Sequence, residues 1–489
     1  MLFNSHIFML LFLPLLLAGW YFLNWKKKFQ LAQGYLIGMS LWFYAYANLQ
    51  YLWLLLFSCL IGWLLSCLPE KIFSEKGKKV LTGVGCVFHL GLLGYFKYSN
   101  FFLENLNTVF HTDFPMLQIL LPVGISFYTF QQLAYLIDRC RKDAPRDSFF
   151  DYLTFMVYFP QLLQGPILLR SEFMGQLKEP ERRRFHAERF SEGIQFFVFG
   201  LAKKVLLADT LAKAVNYGYS NVSMLDSISA LLLAVGYLTE LYFDFSGYCD
   251  MAVGLGKMIG LEVAENFDAP FHSASVKEFW RRWHITLGRF FTRYVYIPLG
   301  GNRKGKMRTL CNVMIVMLLS GLWHGAAWTF VLWGFLHGVG MIWDNLEHPH
   351  LPKKWMRQAA TFAYVCMTFV FFRAESIAQG VDVLKSIVSL KWNGFVFQMA
   401  SALDLTEFYM ITKALSMKLP GLLSWFWLGI FVVLIAICFW VLSGKKVSGV
   451  VALQKQKGYG RLYPVLLAFL FTWSMISMTG VSEYLYFSF

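Results

Sequence analysis

Two histidines, His324 and His337, lie in Leu319–Gly338 (LSGLWHGAAWTFVLWGFLHG), a stretch without Asp, Glu, Lys or Arg. Ionisable residues are costly at membrane depth and usually face a cavity or the interior of a helix bundle. Neutral imidazole is the cheapest of them to bury, and its ordinary pKa of about 6.5 lets it take and give a proton at working pH. Gly321, Gly325, Ala326 and Ala327 leave room beside His324 for close backbone approach or for a substrate chain, and Trp323, Trp328 and Trp333 could line a passage. Three roles fit His324: a buried structural histidine, a general base, or a haem, metal or proton-relay group. His337 follows by 337 − 324 = 13 residues, which at about 100° per residue puts it on a different face of a straight helix. A shared metal site is therefore disfavoured, and His337 reads as structural.

A third histidine, His284, stands in SVKEFWRRWHITLGRFFTRYVYIPLGGNRKGK, residues 275–306. Treated as one helix, Lys277–Tyr294 gathers Arg281, Arg282, Arg289 and Arg293 on one face. Phe279, Trp280, Trp283, Leu287, Phe290, Phe291 and Tyr294 fall on the other, with His284 at its edge. This pattern predicts an interfacial helix at the cytoplasmic surface, its arginines turned to lipid headgroups or an anionic partner. His284 can point into the protein body, or be a boundary histidine without a role. Glu240 and Asp244 stand one helical turn apart in TELYFDFSGYCDMAVGLG. They could do acid–base work, although tying down helix ends and arginines is the simpler use of them. No G-x-S-x-G elbow, H-E-x-x-H pair or P-loop is present.

The elements that position these groups follow from composition. Hydrophobic residues make up 57% and charged residues 15% of the 489, and mean hydropathy is +0.50. Soluble domains carry about 25% charged residues, so the chain reads as an all-α, polytopic membrane protein. Predicted spans are Ile7–Leu23, Leu31–Ala47, Leu52–Leu68, Val80–Phe96, Leu117–Ile137, Tyr152–Leu169, Gly193–Ala208 and Ile228–Phe245. Cys311–Leu322, Ala327–Trp343, Ala359–Phe372, Leu422–Leu442 and Tyr463–Met478 follow. Pro160, Gly165 and Pro166 in FPQLLQGPI predict a broken or re-entrant helix, because irregular backbone at membrane depth survives only inside protein or beside a water-filled cavity. Lys26–Lys28 after the first span place that end in the cytoplasm and the N-terminus outside, with no cleaved signal peptide expected. The net charge of +15 fits positive-inside topology and contact with anionic membrane lipids, and argues against nucleic acid as a partner. The eight cysteines are scattered and read as small buried hydrophobes.

Taken together, the motifs resemble the membrane-bound O-acyltransferase (MBOAT) family, in its bacterial polysaccharide (alginate-type) O-acetyltransferase branch. The matching stretches are LPVGISFYTFQQLAYLID (121–138), YFPQLLQGPI (158–167), GLAKKVLLAD (200–209) and YFDFSGYCDMAVGLGKMIG (242–260). They continue with ENFDAPFHSASVKEFWRRWHITLGRFFTRYVYIPLGGNR (265–303), SGLWHGAAWTFVLWGFLHG (320–338), VFFRAES (370–376) and the closing SEYLYFSF. The first 110 residues match only as hydrophobic helices. The resemblance implies a ring of tilted helices around a central tunnel, with interfacial and re-entrant helices. Residues 1–114 would be N-terminal helices, 115–345 the catalytic core and 346–489 C-terminal helices of one integral domain. It implies His324 as the catalytic histidine of the LWHG motif and His284, of WRRWH, as the second polar catalytic residue. Trp323, Trp283, Gln164 and Asp244 are the expected substrate-binding residues, and Arg281, Arg282, Arg289 and Arg293 the expected docking surface for donor or partner. Gln164 departs from the pattern, since related sequences often carry a small residue before Gly-Pro-Ile.

The reaction implied is transfer of a short acyl group, acetyl above all, from a cytoplasmic thioester (acetyl-CoA or an acyl carrier protein) to a hydroxyl of an exported polysaccharide or of an outer relay protein. No bound cofactor or metal is expected. The implied location is the bacterial plasma (inner) membrane. D-alanyl transfer to teichoic acid from a carrier protein is the nearest alternative. A non-enzymatic export scaffold or channel is the alternative of another class, opposed by the scarcity of intramembrane charge.

Overall fold

The computed structural model describes residues 1–67, 74–141, 143–346, 352–458 and 460–478. Apolar runs become helices because backbone in lipid must satisfy its own hydrogen bonds. The N-terminal part supplies α1 (Leu13–Trp25), α2 (Phe29–Asn48), α3 (Leu52–Cys67), α4 (Glu75–Leu93) and α5 (Ser99–Phe110); a π-helical turn, Gly94–Tyr98, joins the last two. Then come α6 (Ile125–Cys140), α7 (Phe149–Val157), the single turn α8 (Phe159–Leu162), α9 (Arg170–Leu177), α10 (Ala187–Ala202), α11 (Asp209–Ser220) and α12 (Ser227–Ile259). The histidine-bearing region is α13 (Val276–Arg282), α14 (Ile285–Phe291), α15 (Lys306–His324) and α16 (Trp328–Trp343). It is followed by α17 (Lys354–Arg373), α18 (Ile377–Val388), α19 (Phe395–Ser401), α20 (Tyr409–Lys418), α21 (Pro420–Ser443), α22 (Val447–Lys457) and α23 (Leu462–Ser477).

Six described helical stretches are long and apolar enough to cross a membrane. Of these, α12 is the interior one: 78% of its most apolar window is buried, against 17–39% for the other five. Its partner α10 lies against it at two glycine pairs spaced seven residues apart on each helix, Gly193 with Gly254 and Gly200 with Gly247. A Cβ on Gly200 would lie 2.5 Å from the Gly247 carbonyl oxygen, and one on Gly254 2.5 Å from that of Gly193. Small residues let helix backbones approach where lipid offers no hydrophobic drive. Around this axis the buried side chains interleave distant segments. One cluster joins Phe3 and Phe43 to Phe159, Tyr248 and Val451, and a second joins Leu238 to Phe279, Trp333, Phe369 and Phe431.

The structure corrects two expected elements. Leu117–Ile137 is helical only from Ile125, after an extended run whose main chain is held by Asn100 and Asn107 of α5. Pro115 and Pro122 disfavour helix in that run. Gly124 opens α6 at φ +78°, pressed against the Leu162 carbonyl oxygen. Lys277–Tyr294 is likewise not one helix, because it breaks between α13 and α14 at Trp283 and His284. By contrast, 152–169 is broken as the prolines require, with α7 and α8 followed by an extended stretch. The closing SEYLYFSF lies outside the described residues.

The glycine pairs give a direct check. Gly247→Val forces α10 and α12 apart, at an expected cost of about 1–3 kcal/mol or more. It should lower the melting temperature and the monodisperse fraction in detergent. Gly38→Ala, on an exposed face with nothing within 4 Å, should leave both unchanged.

Candidate active site

His284 occupies the break between α13 and α14 in the left-handed backbone region, φ +46°. A non-glycine residue there costs roughly 1–3 kcal/mol and persists only where the surroundings over-determine it. Asn266 does this. Its backbone oxygen accepts from Ile285 N at 3.0 Å, and its Oδ1 accepts from Thr286 N at 3.1 Å and Thr286 Oγ1 at 3.0 Å. The same Oδ1 lies 3.3 Å from His284 Nδ1. A backbone N–H can only donate, so Oδ1 is the acceptor and His284 Nδ1 carries the proton. The ring's lone pair is therefore on Nε2. Complete burial pushes His284 down to about 3, so the ring is neutral at physiological pH.

His324 is the last residue of α15 and is 3% exposed. The rings of Trp323, Trp333 and Phe372 stand 4.9, 5.1 and 5.1 Å from it, centroid to centroid, and the His284 ring stands at 6.3 Å. The two histidines, 40 residues apart in sequence (324 − 284), thus share one aromatic chamber. Gly321 and Gly325 are not open space for a substrate chain. Gly321 packs on the Phe330 carbonyl and Gly325 on the Phe330 ring, which closes α15 onto α16.

The other expected site residues divide. Trp323 belongs to the chamber, with its ring on Phe127 and Phe130 and its Nε1 donating to the Ser126 carbonyl at 3.4 Å. Gln164 is fully buried in the turn after α8, just before the extended stretch 165–169, and neither its amide nitrogen nor its amide oxygen has a partner among the described residues. That stretch is stitched to α14, with Ile167 N donating to Thr286 Oγ1 at 3.1 Å and Arg289 reaching the Ile167 carbonyl at 3.4 Å. Trp283 is instead a core plug among Phe267, Phe279 and Phe369, 1% exposed. Asp244 is the buried counterion of Lys204 at 2.7 Å, and that lysine also pairs with Asp209. Both depart from a substrate-binding role because protein groups already occupy them.

The arginine face is also corrected. Arg282 pairs with Glu278 at 2.8 Å, Arg289 with Glu172 at 2.5 Å, and Arg293 with Asp138 at 3.0 Å and Asp143 at 3.1 Å. Arg289 and Arg293 tie α14 and the π-helical turn after it to other segments, whereas the Arg282–Glu278 pair lies within α13. Arg281 alone of the four is exposed and has no ion pair among the described residues. His337 is structural: Nδ1 accepts from Trp280 Nε1 at 3.2 Å and Nε2 bonds Thr368 at 2.9 Å.

Two residues at the site escape a reading of the sequence alone. Asn266 had a visible signal, a lone amide in ENFDAP. Lys97 had only its own charge in a 35-residue apolar helical run, yet its ammonium reaches the carbonyls of Trp323 and His324 at 2.7 and 3.0 Å. A crevice of about 20 Å³ bounded by Asn266, Cys249, Ser246 and Tyr242 opens from beside Lys446 and Lys203 toward the His284 cradle. A larger cavity, about 1060 Å³, lies elsewhere, between α10–α11 and α21–α23.

The structure thus brings two imidazoles of a polytopic helical protein into one buried aromatic surrounding. Comparison with known proteins gives the family. The profile of MBOAT, the membrane-bound O-acyltransferase family, matches residues 141–379. The chain is 36% identical over 423 residues to the peptidoglycan O-acetyltransferase of Helicobacter pylori, covering 80% of each chain. It is 39% identical over 389 residues to the probable alginate O-acetylase AlgI of Azotobacter vinelandii, covering 77% of this chain and 76% of that one. It is 28% identical over 274 residues to the teichoic acid D-alanyltransferase of Bacillus subtilis, covering 52% and 69%. The chain belongs to the MBOAT family, and it is a multi-pass membrane O-acyltransferase.

The neutral His284 makes a measurable pH signature. Its folded pKa of about 3 lies below the unfolded value of 6.5, so the folded state binds fewer protons between them. The stability is fully present above pH ~6.5 and is lost as pH falls toward 3. Melting temperatures of wild type and His284→Gln, recorded from pH 7.5 to 4.5, should diverge on acidification, with wild type falling more steeply. Parallel curves would contradict a buried neutral His284.

Proposed function

We propose that this protein moves a short acyl group, acetyl, from a cytoplasmic thioester to a hydroxyl of an exported glycan, or to a hydroxyl of an outer partner protein that relays it. The single observation that carries the reading is the placement of His324 beside His284, both buried in one aromatic chamber. His324 accepts the proton of the attacking hydroxyl as its oxygen bonds to the thioester carbonyl carbon. The carbon–sulfur bond breaks, the proton passes from the imidazolium to the leaving thiolate, and an ester and a free thiol result. His324 acts here as general base, a role typically worth about 10²–10⁴-fold.

The neighbouring groups divide the remaining work. His284, with its proton committed to Asn266, presents an acceptor at Nε2, which favours orienting the donor over polarising its carbonyl. Gln164, with an amide that protein groups leave open, is placed in the acceptor or donor path. Trp323 walls the chamber. The donor, acetyl-CoA or an acyl carrier protein, approaches from the cytoplasmic face, where the exposed Arg281 offers positive charge. That orientation puts the N-terminus outside and the protein in the inner membrane. The tunnel through a ring of helices belongs to this same proposal. D-alanyl transfer is the weaker reading, because relatives of that name match only about half of the chain, against 77–80% for the two acetyl-transfer relatives.

In membranes carrying equal amounts of protein, His324→Ala should lower acetyl transfer to the exported glycan at least about 10²-fold without loss of the inserted protein. Wild-type acetylation by this variant would refute the assignment.

A further inference from the structure

The helix that carries His324 ends inside the protein, and helix ends leave their last four carbonyls without intrahelical donors. For α15 these belong to Gly321, Leu322, Trp323 and His324, and each finds a donor. Gly325 N donates to Gly321 O at 3.3 Å. Tyr98 OH donates to Leu322 O at 2.5 Å, and Lys97 Nζ to Trp323 O at 2.7 Å and His324 O at 3.0 Å. Gly325 is extended, φ −159°, so the left-handed glycine turn that commonly closes helices is not used. The cap is a cation instead, placed where the helix dipole favours positive charge.

All the side-chain donors come from one place, the π-helical turn between α4 and α5. Such turns recur at functional sites. The third Lys97 donor points at Ser126 Oγ, 3.4 Å away, so the three ammonium N–H groups are committed to protein. Further along, Asn105 Oδ1 of α5 accepts from Trp328 Nε1 at 2.8 Å, at the start of α16. The α4–α5 rod thus grips both ends of the short turn that follows His324. This rod precedes residues 141–379, the part matched by the family profile.

We infer that Lys97 is a positioning residue of the acyl-transfer site: it fixes the base His324 by closing the end of α15, and Tyr98 assists it. The inference rests on His324 being the base. Lys97 itself does not touch the substrate, because its donors are already engaged.

The test measures kcat and donor KM of purified Lys97→Met, Lys97→Arg and Tyr98→Phe proteins, each normalised to folded, monodisperse material. A base displaced by about 1 Å can lose about 10²-fold in rate, so Lys97→Met should lose about that factor in kcat with donor KM within about threefold. Lys97→Arg keeps a cation with several donors and should recover to within about tenfold of wild type. A lysine that only stabilised the fold would reduce the amount of folded protein and leave kcat per folded molecule unchanged. If Lys97→Met does not accumulate, Tyr98→Phe carries the test, with kcat expected severalfold lower at unchanged KM. Wild-type kcat in Lys97→Met, or in Tyr98→Phe where Lys97→Met is not recovered, overturns the inference. Full activity of His324→Ala in the same assay would instead overturn the reading of the base on which it rests.

Discussion

An α-helix that stops within a membrane protein must find donors for its last carbonyls without help from bulk water, and α15 stops at His324. Hydrogen bonds from a charged donor contribute about 1.5–3 kcal/mol each, and a buried carbonyl left open costs a comparable amount. The Lys97 ammonium and the Tyr98 hydroxyl meet that demand at three carbonyls. The backbone of His324 is therefore set by a segment more than 200 residues away in sequence (324 − 97 = 227). The glycines around His324 serve the same end, since Gly321 and Gly325 bring α16 close enough for Trp333 to wall the imidazole.

His284 is held by a different device with the same logic. Here a helix is interrupted, and Asn266 absorbs the freed groups of Ile285 and Thr286 while fixing the tautomer of the ring. Arg289 and Thr286 carry that order outward to the extended 165–169 stretch. The Arg289–Glu172 and Arg293–Asp138 pairs accordingly act as struts between elements. The outcome is two imidazoles on two separately braced supports, one on a helix end and one on a helix break.

Much of this was legible in the sequence, in ways that follow from what sequence patterns record. Apolar run length gave the helices of 420–443 and 328–343 nearly to their ends, and the prolines of 158–167 announced the break after α7. His324 and His284 were conspicuous because an imidazole has no reason to be in an apolar run. A helical wheel, however, assumes a continuous helix. Nothing of proline or glycine type marks the break at Trp283–His284, which is imposed by Asn266 from a separate segment. Asp244 looked available only because its partner Lys204 lies 40 residues earlier (244 − 204). Lys97 was passed over because a single lysine at the end of an apolar stretch looks like one that snorkels to the interface. Only the three-dimensional account of the α15 carbonyls reveals its use.

In the proposed function the acyl group changes hands in the chamber between His284 and His324. The most direct measurement is a cryo-EM structure with a non-hydrolysable acetyl thioester analogue, such as a ketone in place of the thioester. Its carbonyl carbon is expected within about 4 Å of the His324 ring, near-attack distance for a bound hydroxyl, with the analogue's arm passing Asn266. Density for the analogue in the groove between α10–α11 and α21–α23, with the histidine chamber unchanged, would contradict it.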